Sequence, residues 1–435
     1  MSEGQKEGGL SAPTRHPIDW KSESFFDEKN LDDELRRVFD VCHGCRRCVS
    51  LCDSFPNMFD LVDESSTLEV DGVDSKDFGA VIDHCFLCDL CYMTKCPYVP
   101  PHEWNIDFPH LMLRAKAADF KKGKTETHRK VITNTTKIGK LATIPVVVNM
   151  VNGINNSKLG RKVVDKVMHI HPDAHLPPYE KLKTQFGSSK DPQSGYHVAV
   201  YSTCYGEYNE PAIVEALDEV LQHNQVQTYM VTGLACCGMP KLEIGDIDSA
   251  VANWEKNKEV LVNLAKSGWK ITAAVPSCVL MFKQELPLLL PDDEDLKLVA
   301  NAFVDPFQFL WSLKKKDEMN TSFSGEFGTI FYHQPCHQRV QNFGNRTLDI
   351  LKLIPHEKIE SIARCSGHDG TYGVRTETYE HAKKIARPVV RIINQAKPDS
   401  IASDCPMAAS HLAHVAEAPE KSIHPLVLLK QAYGI

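Results

Sequence analysis

The chain has 435 residues, 42% hydrophobic and 24% charged, with 57 Asp and Glu against 49 Lys and Arg for a net charge of −8. That length calls for two or three domains. The acidic balance argues against a mainly nucleic-acid-binding role, and no apolar run reaches the ~20 residues of a membrane span. Residues 1–20 hold no apolar stretch of the kind a secretory signal needs, so the expected compartment is the cytoplasm. There the 15 cysteines stay reduced, and where they cluster they are expected to hold metal rather than form disulfides.

Residues 1–30 are polar and Gly-rich at the start and are expected to form a disordered tail. Residues 31–40, LDDELRRVFD, read as a short helix leading into a module at 31–113 that holds eight of the cysteines. The first run is Cys42-x2-Cys45-x2-Cys48-x3-Cys52, the second Cys85-x2-Cys88-x2-Cys91-x4-Cys96-Pro97. Three cysteines spaced by two wrap three irons of one cube, while the fourth is directed to the other cluster, as in two-cluster ferredoxins. This assigns Cys42, Cys45, Cys48 and Cys96 to one [4Fe-4S] cluster and Cys85, Cys88, Cys91 and Cys52 to a second. Asp53 stands where the bacterial pattern has Pro, and x4 replaces x3 in the second run; neither removes a ligand. Zinc sites use pairs of Cys rather than repeated triplets. The expected fold of this module is α+β and ferredoxin-like, mostly helix and loop.

Residues 114–195 contain no Cys. Thirteen Lys and Arg lie between Arg114 and Lys166, against Asp119, Glu126 and Asp165. Within this basic helical segment, LATIPVVVNMVNGI (141–154) is apolar but broken by Pro145, Asn149, Asn152 and Gly153. Two readings stay open: a linker that packs one face on a neighbour, or a monotopic contact with anionic lipid or a partner.

From 196 onward the chain repeats itself. Cys204 and Cys336 each end an apparent strand; Cys237 and Cys365, and Cys278 and Cys405, follow at matching places, with offsets of 132, 128 and 127 residues. Near-constant offsets imply duplication of one unit, at 196–320 and 321–435. Strands such as HVAVYST alternate with helical stretches such as EPAIVEALDEVLQH, so each copy reads as α/β with a largely parallel sheet. The repeated cysteines fall at the carboxyl ends of strands, where such sheets bind ligands.

These motifs resemble the cysteine-rich "CCG" domain. It occurs twice in the catalytic subunit of heterodisulfide reductase, in the iron–sulfur subunit of anaerobic glycerol-3-phosphate dehydrogenase, and in related lactate and glycolate oxidase subunits. The family pattern is one Cys, then Cys-Cys-Gly, then Cys-x2-Cys. Cys204, Cys236-Cys237-Gly238 and Cys278 match in the first copy, with Met281 replacing the last Cys. Cys336, Cys365 and Cys405 match in the second, with Arg364 and Ala408 replacing the others. The order of modules resembles the glycerol-3-phosphate dehydrogenase type most closely. In heterodisulfide reductase the complete motifs bind non-cubane [4Fe-4S] clusters that split a disulfide. The resemblance therefore implies a third iron–sulfur centre at Cys204, Cys236, Cys237 and Cys278, of cubane or non-cubane form. The second copy offers three Cys and the nearby His333, His337, His368 and His411, a donor set for zinc or iron.

The implied function is an iron–sulfur electron-transfer subunit of a cytoplasmic oxidoreductase complex, with peripheral attachment at the inner face of the membrane as an option. No GxGxxG follows a strand, so the expected partner is a flavoprotein or another metalloprotein, with no nucleic acid. Two rivals remain: a catalytic subunit reducing a disulfide, quinone or similar acceptor at the third centre, and a non-catalytic redox-sensing or zinc-binding protein. No catalytic residue is assigned.

Overall fold

A computed structural model describes residues 13–183 and 195–435. It divides into two compact units. One runs to Thr127 and takes in the stretches 241–247 and 288–291; the other comprises 128–240, 248–287 and 292–435.

The first unit is built from α1 (Glu28–Cys45), α2 (Ser54–Asp63), α3 (Phe78–Asp83), α4 (Leu90–Thr94) and α5 (Phe108–Lys121). In α1, Leu31, Leu35, Val38 and Phe39 recur on one helical face and are buried. Asp27 caps its start by accepting the Asn30 N–H at 2.7 Å. Its end is set by Arg46, left-handed at φ 53°, whose N–H returns to the Cys42 carbonyl at 2.8 Å. The aromatic rings of Phe39, Phe55, Phe78 and Phe108 form the centre, with Phe55 and Phe108 4.7 Å apart and Phe39 and Phe78 5.1 Å apart.

Two expectations are corrected here. Residues 13–30 do not form a disordered tail; residues 1–12 lie outside the described part. Ile18, Trp20 and Phe25 are buried, the Ile18 N–H donates to the Leu288 carbonyl at 2.8 Å, and the Trp20 indole N–H donates to the Leu289 carbonyl at 2.9 Å. Three well-spaced apolar side chains suffice to pin a segment that composition alone marks as polar. The expected α+β character of the module is also absent: the described residues of this unit form helices and loops without a strand. Its apolar residues recur at helical rather than alternating spacing.

The expected boundary at 113/114 falls inside α5. Most of the basic segment belongs to the second unit, where it includes the helices Thr135–Ala142, Val147–Asn156 and Lys158–Met168; residues 184–194 lie outside the described part. The first of these helices packs so closely on the helix Thr203–Tyr208 that a Cβ at Gly139 would meet the Tyr208 ring at 2.5 Å.

Two parallel sheets form the frame of the second unit. β1 (His197–Tyr201), β2 (Gln227–Val231) and β3 (Lys270–Thr272) lie in the order β2-β1-β3. β4 (Phe327–His333), β5 (His356–Ile362), β6 (Ser400–Ser403) and β7 (Ser422–Ile423) lie in the order β5-β4-β6-β7. Every pairing is parallel, with Ala199 opposite Tyr229 and Ile271, and Phe331 opposite Glu360 and Ile401. The first three strands of each copy share one order, so the duplicated α/β architecture read from the sequence is the observed one. The two copies share a single core: Val198, Leu217 and Leu221 of the first are continuous with Ile330, Ile350, Leu426 and Leu429 of the second. The closing helix Pro425–Tyr433 packs on the helix Pro211–His223.

Because that core is common to both copies, Leu429→Ala should cost about 2–5 kcal/mol and lower the stability of both together. Urea unfolding followed by circular dichroism should show one earlier transition for the second unit. A transition confined to one copy would contradict a shared core.

Candidate metal centres

In the first unit the two cysteine runs interleave. Cys42 and Cys45 close α1, Cys48 lies in the turn beyond Arg46, and Cys96 follows α4. Cys42, Cys45, Cys48 and Cys96 line one pocket together with Phe55, Pro97, Tyr98 and Ile106. Burial pushes the Cys42 thiol well above its ordinary range, and the neighbouring Cys96, Cys48 and Cys45 add to this. Cys48 is pushed up to about 12 by burial, Cys96 and Cys45, with Lys95 and Arg47 opposing.

Cys91 is likewise pushed far up, first by burial and then by Cys48, Cys88, Cys85 and Cys52. Thus Cys96 shares a pocket with the first triplet, while Cys48 and Cys52 of the first run both lie within the field of Cys91. Four thiols buried within one another's fields cannot ionise together unless a cationic group offsets the repulsion, which is what bound iron does for coordinating thiols. None of the fifteen cysteines is in a disulfide, so the donors suit iron–sulfur ligation in number and type.

Side chains outside the motifs hold these turns. Arg15 donates to Asp89 Oδ1 at 2.9 Å through Nη2 and to Asp107 Oδ2 at 3.0 Å through Nε. Asp89 sits at φ 60° inside the second run, so this clamp fixes a backbone turn that few residues adopt. Burial would raise Asp107, but His110 and Arg15 hold its carboxyl far below the usual range. The buried Lys116 ammonium donates to the Cys85 carbonyl. It also opposes the burial that pushes the Cys85 thiol up to about 12.

In the second unit each repeated turn of the duplicated fold carries its thiol at the carboxyl end of a strand: Cys204 after β1, Cys236 and Cys237 after β2, Cys278 after β3. The Cys204 and Cys236 sulfurs are 3.7 Å apart. Hydrogen bonds from the Cys204 and Cys237 thiols hold Cys236 well below its ordinary range, with the Thr135 hydroxyl adding to them. Cys204 and Cys237 are correspondingly pushed up. All four sulfurs act on the buried Tyr201, whose hydroxyl donates to the Ala235 carbonyl at 2.6 Å.

The doublet loop is pinned from three sides. Asn257 accepts the Ala235 N–H at 2.8 Å and donates to its carbonyl at 3.0 Å. Thr136 accepts the Cys236 N–H at 2.9 Å. Gly238 has φ 102°, and a Cβ there would meet the Ala250 backbone at 3.1 Å. Met281, at the lost Cys position, is fully buried at the start of a π-helical turn, Met281–Glu285, a feature common at functional sites.

The second copy places Cys336 after β4, Cys365 after β5 and Cys405 after β6. Cys365 is drawn below its ordinary value by a hydrogen bond from Cys336, by the Gly367 N–H, and by Arg364 and Arg339. Arg364 thus adds positive charge where the complete motif has a second thiolate. Burial pushes Cys405 up to about 12, and Asp369 and Asp404 reinforce this. The histidines divide. His333 donates to the Arg364 carbonyl at 2.7 Å and accepts from Ser403 at 3.0 Å, so both its nitrogens are used. His337 meets the Ser277 hydroxyl at 2.7 Å, beside Cys278. His424 donates to the Ala274 and Asp404 carbonyls at 3.2 and 2.9 Å, tying the turn after β3 to the turn after β6. The strand ends of the two copies therefore face each other. Arg15, Lys116, Thr136, Asn257 and His424 were not legible in the sequence, since an isolated polar residue carries no spacing signal.

Fold and thiol turns define a duplicated cysteine-rich iron–sulfur protein: the CCG cysteine-rich domain family matches residues 198–283 and again 330–413. The chain thus carries two copies of the CCG cysteine-rich domain. It is 26% identical over 314 residues to one of the subunits of anaerobic glycerol-3-phosphate dehydrogenase from Escherichia coli, covering 69% of this chain and 76% of that protein. It is 22% identical over 365 residues to one of the subunits of fumarate reductase (CoM/CoB) from Methanothermobacter marburgensis, covering 82% of this chain and 63% of that protein. An iron–sulfur protein of Methanocaldococcus jannaschii is 24% identical over 392 residues, covering 85% of this chain and 67% of that protein.

Gly238→Ala should destabilise the second unit by at least about 1 kcal/mol through its positive φ and the approach to Ala250. The check is thermal unfolding beside Gly268→Ala, also at positive φ (81°) but open to space. Equal losses in both variants would show that the approach to Ala250 adds nothing.

Proposed function

We propose that the protein is the electron-relay subunit of an oxidoreductase complex, with two [4Fe-4S] clusters in the first unit and a third iron–sulfur centre in the first CCG copy. The observation that supports this reading is the pocket that Cys96 shares with Cys42, Cys45 and Cys48, with Cys52 in the field of Cys91, as a crossing of the two runs would require. Such clusters, when bound, supply one-electron transfer. Cys42, Cys45, Cys48 and Cys96 would hold one, and Cys85, Cys88, Cys91 and Cys52 the other. Cys204, Cys236, Cys237 and Cys278 would hold the third. The protein's own part is to bury the thiols, exclude water with Phe55, Tyr98 and Ile106, and fix the turns through Arg15, Asn257 and Thr136. The electron partner is a flavoprotein or another metalloprotein. The second copy, with three thiols and Arg364, holds no cluster in this reading.

Anaerobically purified protein should contain about eight irons assigned to the first unit, and the reduced form should give the EPR signal of two interacting clusters. Cys52→Ser should damage the cluster of the second triplet and Cys96→Ser that of the first; damage to the cluster of the same run instead would overturn the crossing. The Cys236→Ser, Cys237→Ser double variant should lose only the third centre's signal.

The same polypeptide would sit on an anionic membrane surface. Among the described residues no helix is long and apolar enough to cross a membrane, so the contact would be monotopic. Val146, Met150 and Ile154 follow one another at four-residue spacing, as do Leu159, Val163 and Val167. All six are exposed, Val146 at 81% and Leu159 at 75%. The helices that carry them pack together, so two apolar rows lie on adjacent elements. Lys158, Lys162 and Lys166 flank them, and Asp165, the one acid between 128 and 168, is bonded to the Thr376 hydroxyl. Apolar rows with cations beside them suit an anionic lipid surface.

The protein should sediment with vesicles containing anionic lipid at low salt and less so at high salt. Leu159→Glu with Val163→Glu should abolish sedimentation without lowering iron content. Binding that survives these changes, or none at low salt, would leave the rows to a protein partner.

A further inference from the structure

The two cysteine sets of the first unit differ in burial. Cys85 and Cys91 of the second set are 6% and 8% exposed, with Cys52 and Cys88 half-buried; in the first set Cys42, Cys45, Cys48 and Cys96 are all half-buried. The charged side chains that line the pocket of the first set are Arg47 and Lys95, and both are exposed. The pocket therefore opens to solvent between two cations, in a chain whose net charge is −8. Two neighbouring cations are taken up by acids: Arg46 donates to Asp63 Oδ2 at 3.0 Å and Arg37 to Glu34 Oε2 at 2.7 Å.

Apolar surface lies beside this mouth. Tyr98 lines the pocket, and its ring centre is 4.6 Å from that of Trp104, which is 43% exposed. Val49, next to Cys48, is 50% exposed. The Trp104 backbone is held in place, its carbonyl accepting from Arg37 Nη1 at 2.9 Å and its N–H donating to His102 Nδ1 at 3.1 Å. A fixed aromatic ring with cations beside it matches the composition of protein-binding surfaces, where Trp, Tyr and Arg are enriched.

We infer that the site of Cys42, Cys45, Cys48 and Cys96 is the end of the relay that meets the external electron carrier, and that this carrier is a protein with an acidic surface that docks on Arg47, Lys95 and Trp104. This docking face presupposes the electron-relay reading and defines its partner by charge. Electron transfer between proteins weakens steeply with distance, so the carrier must approach the set closest to solvent. Four thiolates leave a bound [4Fe-4S] group with net negative charge, which alone would repel an acidic carrier. Arg47 and Lys95 at the mouth offset that charge and steer the encounter. The reduced carrier gives up one electron, which passes to the cluster held there, with no bond made or broken.

The test mixes anaerobically purified holoprotein with reduced flavodoxin, an acidic flavoprotein used as the probe, and follows bleaching of the clusters by stopped flow. The bimolecular rate should fall about tenfold or more from low to high salt. Lys95→Glu should be reduced about tenfold more slowly than wild type at low salt, with a flattened salt dependence and its iron content retained. On the wild-type protein, carbodiimide should cross-link Lys95 to carboxylates of the probe. Iron-replete protein whose reduction ignores salt, or Lys95→Glu reduced as fast as wild type, overturns the inference and leaves the relay reading standing. Protein without iron overturns the relay reading and the inference with it. Should Lys95→Glu lose its iron, wild-type cross-links decide: links that include Lys95 uphold the docking face, and links that avoid it overturn it.

Discussion

Repulsion among buried thiolates is the constraint on which the rest of this molecule depends. Each four-cysteine set brings acidic groups together away from water, where every neighbour raises the cost of ionising the next. Without an offsetting positive charge the thiols stay protonated, as the upward shifts of Cys42, Cys48 and Cys91 reflect. The surrounding structure holds them close regardless. The left-handed Arg46 stops α1 at Cys45, the Arg15 clamp fixes the turn at Asp89, and Asn257 grips both backbone groups of Ala235. Each of these interactions is worth about 1–3 kcal/mol; together they preserve an arrangement that the sulfurs alone would not adopt.

The two CCG copies show how one backbone carries two different sets of side chains at the same turns. Their first three strands share an order and place three turns at equivalent points. In the first copy those turns gather four sulfurs around Tyr201. In the second, Arg364 stands in place of a sulfur and adds a smaller pull to the Cys336 hydrogen bond that draws Cys365 below its ordinary value, while Ala408 stands in place of another. The two strand-end faces meet through His424 and through His337 on Ser277. Loss of ligands in one copy therefore changes the surroundings of the other without altering the shared core behind them.

Much of this was legible in the residues. Fixed spacing of cysteines is a local property: offsets near 130 residues mark a repeated unit, and both copies are matched. Strand–helix alternation likewise implied parallel sheets, because crossover helices bury both faces. The polar start of the chain misled, since Ile18, Trp20 and Phe25 are too few to change its composition yet enough to anchor it. The α+β expectation for the first module failed because it came from analogy to ferredoxins rather than from the helical spacing of Leu31, Leu35, Val38 and Phe39.

The chain by itself determined which sulfurs group in sequence, how many copies of the cysteine-rich domain there are, and that the middle segment is basic and apolar in turn. Only the tertiary structure decided that Arg15 reaches Asp89 and Asp107, that Lys116 meets Cys85, that Val146 and Leu159 remain exposed, and that His368 lies beside His411. These pairings join residues between 31 and 92 positions apart. Sequence spacing reports neighbours along a helix or strand, whereas contacts across a core are set by how whole elements pack.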